Sequence, residues 1–447
     1  MPALIFATVK VAIVGTGYVG LVAGACFADT GTEVVCVDVD EAKLECLRRG
    51  EVPFYEPRLA EVVQRNWPTR LKFSSDLAAS IAGCAAVFVA VGTPPTEDGS
   101  ADLSHVLAVA EQVARATTHD TVLVLKSTVP VGTNEIVRKL VAGICKYRMD
   151  IANNPEFLKE GDAINDFLKP DRVVIGTDSE AAFAVLSRLY APFVRQNNRI
   201  QRMSPCSAEI VKYASNALLA TKISFMNEMA ALADATGADV EHIRAALGAD
   251  SRIGYAFLFP GLGFGGSCFP KDLRALVRTG QQLGVNCQVA AAALKANQTP
   301  RELMLRYIQQ GLGDVSGKTL AFWGLAFKPG TDDVREAPAL YLIESLIKLG
   351  ARIRASDPKA RGAAGPILAQ PEIAPHVQLF ESPYEACEGA DALVLATEWS
   401  EYRNPDLVRV AAALRGKHVF DGRNVLNPEA VIDAGLIYRG MGRPERR

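Results

Sequence analysis

The stretch from Gly261 to Asp272 contains the residues of this chain best suited to covalent chemistry. It reads GLGFGGSCFPKD, so that four glycines precede Cys268, and Lys271 and Asp272 follow it. Glycines let a backbone come close to a ligand, and a neighbouring lysine favours the thiolate, the nucleophilic form of cysteine. A cation and a carboxylate beside a thiol suit addition to a carbonyl carbon. A lone cysteine is otherwise a small buried apolar residue, so the surrounding motif carries the catalytic interpretation.

A second glycine motif, near the start of the chain, predicts a dinucleotide site. Gly15-Thr16-Gly17-Tyr18-Val19-Gly20 closes an apolar run and opens a helical segment. The first glycine permits a tight turn, the second lets backbone N–H groups approach a pyrophosphate, and the third lets helix and strand pack closely. Asp38 ends the next apolar run, where a carboxylate binds a ribose 2′-hydroxyl, so we expect NAD rather than NADP. The alternative is a structural turn without cofactor.

Two further loops follow apolar runs, Gly92-Thr93-Pro94-Pro95 and Ser127-Thr128-Val129-Pro130. Ligands of open α/β sheets bind at the carboxyl ends of the strands. Thr93 and Thr128 are therefore placed to touch the cofactor, although either could be a plain turn hydroxyl.

The combination of cysteine and dinucleotide motifs suggests an oxidation that does not stop at a carbonyl. None of the five histidines lies in these motifs, whereas a dehydrogenase of simple secondary alcohols normally keeps a histidine base close by. A thiol can add to an aldehyde to give a thiohemiacetal, which loses a second hydride to become a thioester. Water then releases the acid, and two NAD are consumed.

Apolar runs alternate with helical stretches at both ends of the chain. Such runs predict parallel strands that are buried on both faces. They are Val9–Gly15, Glu33–Asp40, Ala85–Gly92, Thr121–Ser127, Asp150–Asn154 and Arg172–Thr177, and later Gly317–Gly324, Ala351–Asp357, Ala390–Thr397 and Lys417–Gly422. A segment from Ser204 to Gly237 reads as one helix. The predicted fold is α/β, with two Rossmann-type doubly wound domains joined by a long central helix.

We expect three domains in the 447 residues. Residues 1–203 would bind NAD, residues 204–300 would form a central helical region that carries the cysteine loop and a dimer seam, and residues 301–447 would form the second Rossmann-like domain, which lacks a glycine motif.

Composition excludes several other classes of protein. A formal net charge of −2 offers no basic field for nucleic acid or an anionic membrane. Nine cysteines without a CxxC pair argue against a metal site or a disulfide scaffold and fit reduced thiols in the cytoplasm. The opening residues lack the charged region of a signal peptide, and no uncharged run is long enough to span a membrane.

These motifs resemble those of the UDP-glucose/GDP-mannose dehydrogenase family from about Val9 to Asn427. The matching segments are GTGYVGL, VGTPP, STVPVGT, NPEFLKEG, KYASNALLATKISFMNE, SRIG, GFGGSCFPKD and GLAFKPGTDDVRE. The resemblance implies that NAD is the cofactor, that the 6-hydroxyl of UDP-glucose is oxidised to a carboxylate, and that residues 301–447 bind the UDP moiety. Lys159 departs from the family, in which an arginine is common at this position.

The resemblance also implies roles for matching positions. Cys268 would be the nucleophile, Lys212 would stabilise the oxyanion with Asn216 nearby, and Asp272 would activate water with help from Thr128. Glu160, Asp272 and Lys212 all remain candidates for the first base. Contacts to NAD are implied for Gly15, Gly17, Tyr18, Val19, Gly20, Asp38, Lys43, Thr93, Thr128, Glu160, Lys271 and Arg335.

The implied substrate contacts are spread over the chain. Arg252 would reach the site of a neighbouring subunit in a homodimer, and Lys328 would hold the nucleotide sugar from the last domain. The others are Glu156, Phe157, Leu158, Lys159, Lys212, Asn216, Phe257, Leu258, Phe259, Pro260, Gly261 and Gly265.

Alternatives remain at two levels. The substrate could be GDP-mannose or a UDP-N-acetyl-hexosamine, or the chain could be a non-catalytic NAD-binding protein of the same fold. Singly, Lys212 and Lys328 could be surface lysines, Arg252 could cap a turn, and Glu160 could serve a helix dipole.

Overall fold

A computed structural model describes residues 9–194 and 199–446. The chain divides into two compact units between Ser215 and Asn216, inside the long helix that the sequence predicts. The predicted boundaries after residues 203 and 300 stay predictions. The opening eight residues, for which the sequence argues against a signal peptide, lie outside the described residues.

The first unit alternates strands and helices. Its strands are β1 (Lys10–Val14), β2 (Glu33–Val37), β3 (Leu71–Ser74), β4 (Ala86–Val89), β5 (Thr121–Leu125), β6 (Met149–Asn153), β7 (Val173–Gly176) and β8 (Ile200–Met203). Its helices are α1 (Tyr18–Asp29), α2 (Glu41–Arg48), α3 (Leu59–Asn66), α4 (Leu77–Ile81), α5 (Ser104–Ala116), α6 (Thr133–Ala142), α7 (Ala163–Leu168) and α8 (Glu180–Tyr190).

These eight strands form one sheet in the order β3-β2-β1-β4-β5-β6-β7-β8. The first six positions are the Rossmann order, with the switch point between β1 and β4. The prediction of a wholly parallel sheet is wrong at one place, because β7 pairs antiparallel to β6. An antiparallel strand starts at the edge where its neighbour ends, and α7 is too short to cross the sheet. Residues 154–172 therefore begin and end at the edge where β4 and β5 also end.

Apolar residues cover both faces of this sheet. Along β1, Val11 and Ile13 belong to one buried cluster with Phe27 and Phe88. The intervening Ala12 and Val14 belong to the other cluster, with residues of α5 and α6. Alternate residues of a strand point to opposite faces, so the continuous apolar runs follow from burial on both sides.

The helix α9 (Pro205–Thr236) runs for 32 residues and confirms the predicted long helix. The second unit continues with α10 (Val240–Ala249), α11 (Phe269–Gln282), α12 (Gln288–Ala296), α13 (Thr299–Leu312), α14 (Pro338–Lys348), α15 (Arg361–Leu368), α16 (Pro383–Cys387), α17 (Leu407–Ala413) and α18 (Pro428–Asp433). Its strands are β9 (Thr319–Trp323), β10 (Arg352–Ser356), β11 (Val377–Phe380), β12 (Ala392–Leu395), β13 (His418–Asp421) and β14 (Ile437–Gly440).

The second sheet is wholly parallel and has the order β11-β10-β9-β12-β13-β14, which is again the Rossmann order. Asp357 follows β10 where Asp38 follows β2, but it is fully buried and accepts five hydrogen bonds, including those from the N–H groups of Leu325 and Ala326. The position that is predicted to bind a ribose in the first domain is therefore structural in the second.

Candidate active site

The glycine turn after β1 has the geometry that a pyrophosphate site needs. Gly15 has a φ of +103°, which favours glycine, and a side-chain carbon at Gly20 would lie 1.9 Å from the Gly15 carbonyl oxygen. At Gly17, by contrast, such a carbon would meet no atom of the described residues within 4 Å. The first and third glycines are thus required by packing, whereas the second faces open space at the start of α1.

Asp38 lies beside this turn, as predicted. Its Oδ2 accepts hydrogen bonds from the backbone N–H and the hydroxyl of Thr16, at 2.8 and 2.5 Å, and pairs with Lys43 at 3.3 Å. Burial raises the pKa of Asp38, but the Thr16 hydrogen bonds and Lys43 outweigh it and hold the pKa below its usual value. The carboxylate is therefore ionised, and it ties the two parts of the predicted NAD site together.

The loops after β4 and β5 are joined by hydroxyl groups. Thr93 donates a hydrogen bond of 2.9 Å to the Thr128 carbonyl, and Ser127 donates one of 2.6 Å to the Val91 carbonyl. Thr93 thus joins the two loops, both of which lie at the carboxyl ends of the central strands, and its predicted contact with the cofactor stays a prediction.

A buried carboxylate that the sequence analysis missed connects the glycine turn with the segment of Glu160. Glu56 accepts hydrogen bonds from the Tyr18 hydroxyl at 2.7 Å and from the N–H groups of Gly161 and Ala163 at 2.6 and 2.8 Å. Only 5% of Glu56 is exposed. It fixes the turn that carries the half-buried Glu160 against the first residue of α1.

Lys212 is a buried residue and not a surface lysine. Its ammonium donates a 2.7 Å hydrogen bond to Glu156, with side-chain exposures of 5% and 7%. Burial raises the pKa of Glu156, but the pairing with Lys212 and the N–H of Leu158 hold it below its usual value. The ion pair holds the positively charged ammonium group of Lys212 in a fixed position and a dry environment. This is the property that oxyanion stabilisation requires.

A second buried lysine, Lys126, also escaped the sequence analysis. It follows β5, is 3% exposed, and hydrogen-bonds Asn154 and Tyr190. The available signal was a lysine that ends a run of five apolar or small residues and precedes Ser127 and Thr128.

In the second unit, Cys268 lies at the N-terminus of α11, in the N-cap position. The positive end of the helix dipole favours a negatively charged sulfur there. One turn later Asp272, which is 1% exposed, accepts a 2.6 Å hydrogen bond from Asn216 and pairs with Lys271 at 2.8 Å. The predicted grouping of Cys268, Lys271, Asp272 and Asn216 is therefore present within one unit.

Close packing within the protein explains two of the four glycines before Cys268. A side-chain carbon at Gly265 would lie 2.4 Å from the Glu336 carbonyl oxygen, and one at Gly263 would lie 2.6 Å from Asn297. Both glycines are thus required by close packing within the protein, and the predicted approach of a ligand to this loop stays a prediction. Asn297 accepts from the N–H of Phe264 and donates to its carbonyl, and so pins the loop.

The predicted substrate segment 257–261 is held from two sides. Arg244 donates to the Leu258 carbonyl at 2.7 Å, and the N–H of Gly261 donates to Asn227 at 2.8 Å. Phe257 has a φ of +63°, a conformation that is uncommon outside glycine and that clusters at ligand sites. Phe259 is 51% exposed and lies 5.7 Å from the Phe257 ring.

Four charged residues among the predicted contacts lie beside residues that are close to them in the sequence. Lys159 pairs with Asp162, Arg335 pairs with Asp333, and Arg252 pairs with Asp250; each partner lies only two or three residues away. Lys328 is half-buried, with its ammonium 5.4 Å from the Phe327 ring centre.

The remaining predicted residues fall into the same two groups. Phe157 and Leu158 follow Glu156 at the carboxyl edge of the first sheet, and the Phe157 ring stacks under Arg172 at 3.8 Å. Val19 is half-buried in the first turn of α1, and Pro260 is buried. Of the described residues, no helix is both long and apolar enough to cross a membrane.

The open glycine turn at a Rossmann switch point and the helix-capping cysteine beside a buried carboxylate together define a dinucleotide-dependent oxidoreductase. Comparison with known proteins is more specific. Models of the UDP-glucose/GDP-mannose dehydrogenase family match the chain with the NAD binding domain over residues 9–194, the central domain over 206–299 and the UDP binding domain over 321–428. The chain belongs to this family, and it is an NAD-dependent enzyme.

Individual relatives extend over the whole chain. A UDP-glucose 6-dehydrogenase from Pseudomonas aeruginosa is 48% identical, covering 97% of this chain and 98% of the relative. The structure of a UDP-glucose dehydrogenase from Pyrobaculum islandicum has a TM-score of 0.90 at 38% identity and covers 98% of both chains. That of a UDP-D-ManNAc dehydrogenase from Pyrococcus horikoshii has a TM-score of 0.84 at 27% identity, covering 97% of this chain and 99% of that one.

Proposed function

We propose that the protein oxidises the 6-hydroxyl of UDP-glucose to a carboxylate and uses two NAD for each sugar. The observation that carries the proposal is Cys268 at a helix N-terminus, one turn before the buried Asp272. A 6-dehydrogenase that stopped at the aldehyde would have no use for this nucleophile. The identity to relatives named for UDP-glucose supports the choice of sugar.

The first oxidation gives an aldehyde. NAD, when bound, accepts a hydride from C6 in each of the two oxidations. The hydroxyl proton passes to a base, for which Glu160, Asp272 and Lys212 are the candidates. In this scheme Gly17 gives the pyrophosphate room, and Asp38 accepts from the ribose hydroxyls.

The second oxidation proceeds on the cysteine. The sulfur of Cys268 adds to C6 of the aldehyde, and the oxygen takes a proton to form a thiohemiacetal. Loss of the second hydride and of the hydroxyl proton leaves a thioester. Lys212, held by Glu156 at 2.7 Å, stabilises the negative charge on the oxygen, with Asn216 beside it.

Hydrolysis completes the reaction. Water adds to the thioester carbon and gives one proton to a base, the thiolate leaves, and the carboxylic acid that forms releases its remaining proton to solvent to give the carboxylate. Asp272 orients or deprotonates this water with help from Thr128; its carboxylate lies 2.8 Å from the Lys271 ammonium, and only 1% of the residue is exposed.

The substrate contacts follow from the resemblance and are consistent with the geometry. Residues 156–160 and 257–261 bind the nucleotide sugar, together with Gly265 and Lys328. The strained Phe257 supports a ligand role for the second segment. Lys43, Lys271 and Arg335 complete the NAD contacts.

We also propose a homodimer in which Arg252 enters the neighbouring active site. Leu218, Phe225 and Leu232, seven residues apart on α9, are 65%, 45% and 56% exposed and form one apolar stripe. Mixing Arg252→Ala with Cys268→Ser subunits tests this arrangement. Mixed dimers contain one site with both groups, so activity should reappear, whereas an inactive mixture with proven subunit exchange would contradict it.

Two further inferences accompany the proposal. All nine cysteines are free thiols, which supports a reducing, cytoplasmic location. An N-acetyl-hexosamine substrate is the second candidate, favoured by the 0.84 TM-score to a UDP-D-ManNAc dehydrogenase.

A substrate comparison tests the proposed function. NADH absorbance is followed with UDP-glucose, GDP-mannose and UDP-N-acetyl-sugars offered separately. Turnover with UDP-glucose alone supports the proposal, and turnover with another sugar alone assigns the enzyme to a sister activity. No turnover with any of them would favour the non-catalytic alternative.

A further inference from the structure

Lys126 is a buried cation to which nothing above assigns a role. It lies one residue beyond β5, at the carboxyl edge of the sheet, and is 3% exposed. Burying an ammonium group costs several kcal/mol unless its charge and hydrogen bonds are compensated. A neutral side chain of similar shape would fill the space at lower cost, so the charge calls for a functional explanation.

The hydrogen bonds of Lys126 converge on Asn154. The ammonium donates to the Asn154 side-chain oxygen at 3.0 Å, to its carbonyl at 3.4 Å and to the Tyr190 hydroxyl at 3.3 Å. Tyr190 in turn donates to the same side-chain oxygen at 2.5 Å. Asn154 is joined to Glu156 through Pro155 alone, so these bonds fix the backbone from which the Glu156 carboxylate projects.

The charges around Lys126 are those of the catalytic pair. Burial is the largest effect on Lys126 and lowers its pKa to about 8. The nearby Glu156 favours the charged form of Lys126, whereas Lys212 disfavours it. Reciprocally, Lys126 helps to hold the pKa of Glu156 below its usual value. The Tyr190 hydroxyl adjoins Lys126, the Tyr18 phenol is close enough to interact with Glu156, and Asp166, Asp171 and Arg172 line the adjoining pocket.

We propose that Lys126 is a positioning residue for the Glu156–Lys212 ion pair. Its ammonium orders Asn154 and supplies a second positive charge that keeps Glu156 ionised, so that Lys212 stays anchored toward the reacting oxygen. This inference rests on the proposed function, in which Lys212 stabilises that oxygen.

The first test is the pH profile of kcat for Lys126→Met, which keeps the volume and removes the charge. Loss of the cation should raise the pKa of Glu156, so the acidic limb of the profile should move upward by about one pH unit. Tyr190→Phe is the matched control, because it removes a hydrogen bond from the same cluster without changing its charge, and its limb should stay in place. If Lys126→Met lost the same fraction of kcat at every pH, the role of Lys126 would be merely structural and the proposal would be overturned.

A second measurement needs no turnover and separates this inference from the proposed function. Lys126 has a folded pKa of about 8 against an ordinary value of 10.5, so the unfolded chain binds more protons between these values. The stability of the wild type should therefore rise relative to Lys126→Met between pH 8 and 10.5 and run parallel below pH 8. If the urea midpoints of the wild type and Lys126→Met ran parallel over the whole pH range, Lys126 would not be a buried charged residue and the inference would be overturned. This outcome does not depend on whether UDP-glucose is the substrate.

Lys126→Gln replaces Lys126→Met if the latter does not fold. Glutamine keeps a hydrogen-bond donor for Asn154 and still removes the charge, so both expected shifts remain. If the pH profile of kcat for Lys126→Gln kept the acidic limb of the wild type, the electrostatic part of the proposal would be contradicted.

Discussion

Asn216 donates a 2.6 Å hydrogen bond to the Asp272 carboxylate, and both side chains are buried. The other carboxylate oxygen of Asp272 pairs with Lys271 at 2.8 Å. Asp272 lies one helical turn after Cys268. The hydrogen bond from Asn216 on α9 therefore fixes the orientation of a carboxylate at the proposed site of thioester hydrolysis.

Replacement of Asn216 by leucine should therefore reduce both stability and turnover. The buried carboxylate loses a donor that water cannot replace, at a cost of about 1–3 kcal/mol. Urea unfolding measures the cost, and Glu228→Gln, an exposed change on the same helix, should leave the midpoint unchanged. Equal midpoints for the two variants would show that the hydrogen bond contributes nothing to folding.

Gly17→Ala should impair NAD binding without destabilising the fold. The added methyl group meets no atom of the described residues within 4 Å, but it occupies the space proposed for the pyrophosphate. We expect the Kd for NAD to rise about tenfold or more, or about 1.4 kcal/mol, with an unchanged unfolding midpoint. Gly20→Ala should instead unfold more easily, because its methyl group would lie 1.9 Å from the Gly15 oxygen. Unaltered NAD affinity in Gly17→Ala would place the pyrophosphate elsewhere.

Asp38→Ala should weaken NAD binding and relax discrimination against NADP. In the proposed NAD site this carboxylate accepts from the ribose hydroxyls and repels a 2′-phosphate, and its removal also deprives Thr16 of its acceptor. The ratio of kcat/KM for the two cofactors should fall about tenfold or more, or about 1.4 kcal/mol. Asp40→Ser, which can still cap α2, serves as the control. An unchanged ratio in Asp38→Ala would show that the ribose is read by another residue.

Lys212→Met should destabilise the protein most near neutral pH. The pKa of Glu156 in the folded protein lies below its ordinary value of 4.5. The ionised carboxylate therefore stabilises the fold at pH values above 4.5, and this stability is lost as the pH falls through the pKa of the folded state. Without Lys212 the buried charge of Glu156 loses its direct ion pair and keeps only the Leu158 N–H and the weaker influence of Lys126, which costs about 3–5 kcal/mol at pH 7. The difference from the wild type should shrink below pH 4.5. Adding Glu156→Gln should restore part of the loss, and strictly additive losses would argue against the pair.

Sequence patterns predicted the interiors of both sheets but none of their edges. The four strands without a predicting run, β3, β8, β11 and β14, are the four edge strands. Edge strands include exposed polar residues, as Leu71–Ser74 and Ile200–Met203 do. They therefore show no continuous apolar run in the sequence.

The site was predicted where chemistry depends on local spacing and missed where it depends on remote donors. The glycine turn, Cys268 and Asp272 lie in short motifs that are visible in the sequence. Glu56 and Lys126 become recognisable only when segments such as 161–163 and Asn154 fold against them. A buried charge is defined by its partners, and sequence alone does not reveal which distant groups will supply them.

The central claim is that Cys268 carries the substrate through a second oxidation, and the most direct test is the number of NADH formed per UDP-glucose consumed. We expect a ratio of two for the wild type and for Cys206→Ser, which changes an exposed cysteine on α9. Cys268→Ser should lose acid formation by about 10³-fold or more while it still binds NAD. A ratio of one in the wild type, or near-normal acid formation without Cys268, would contradict the account.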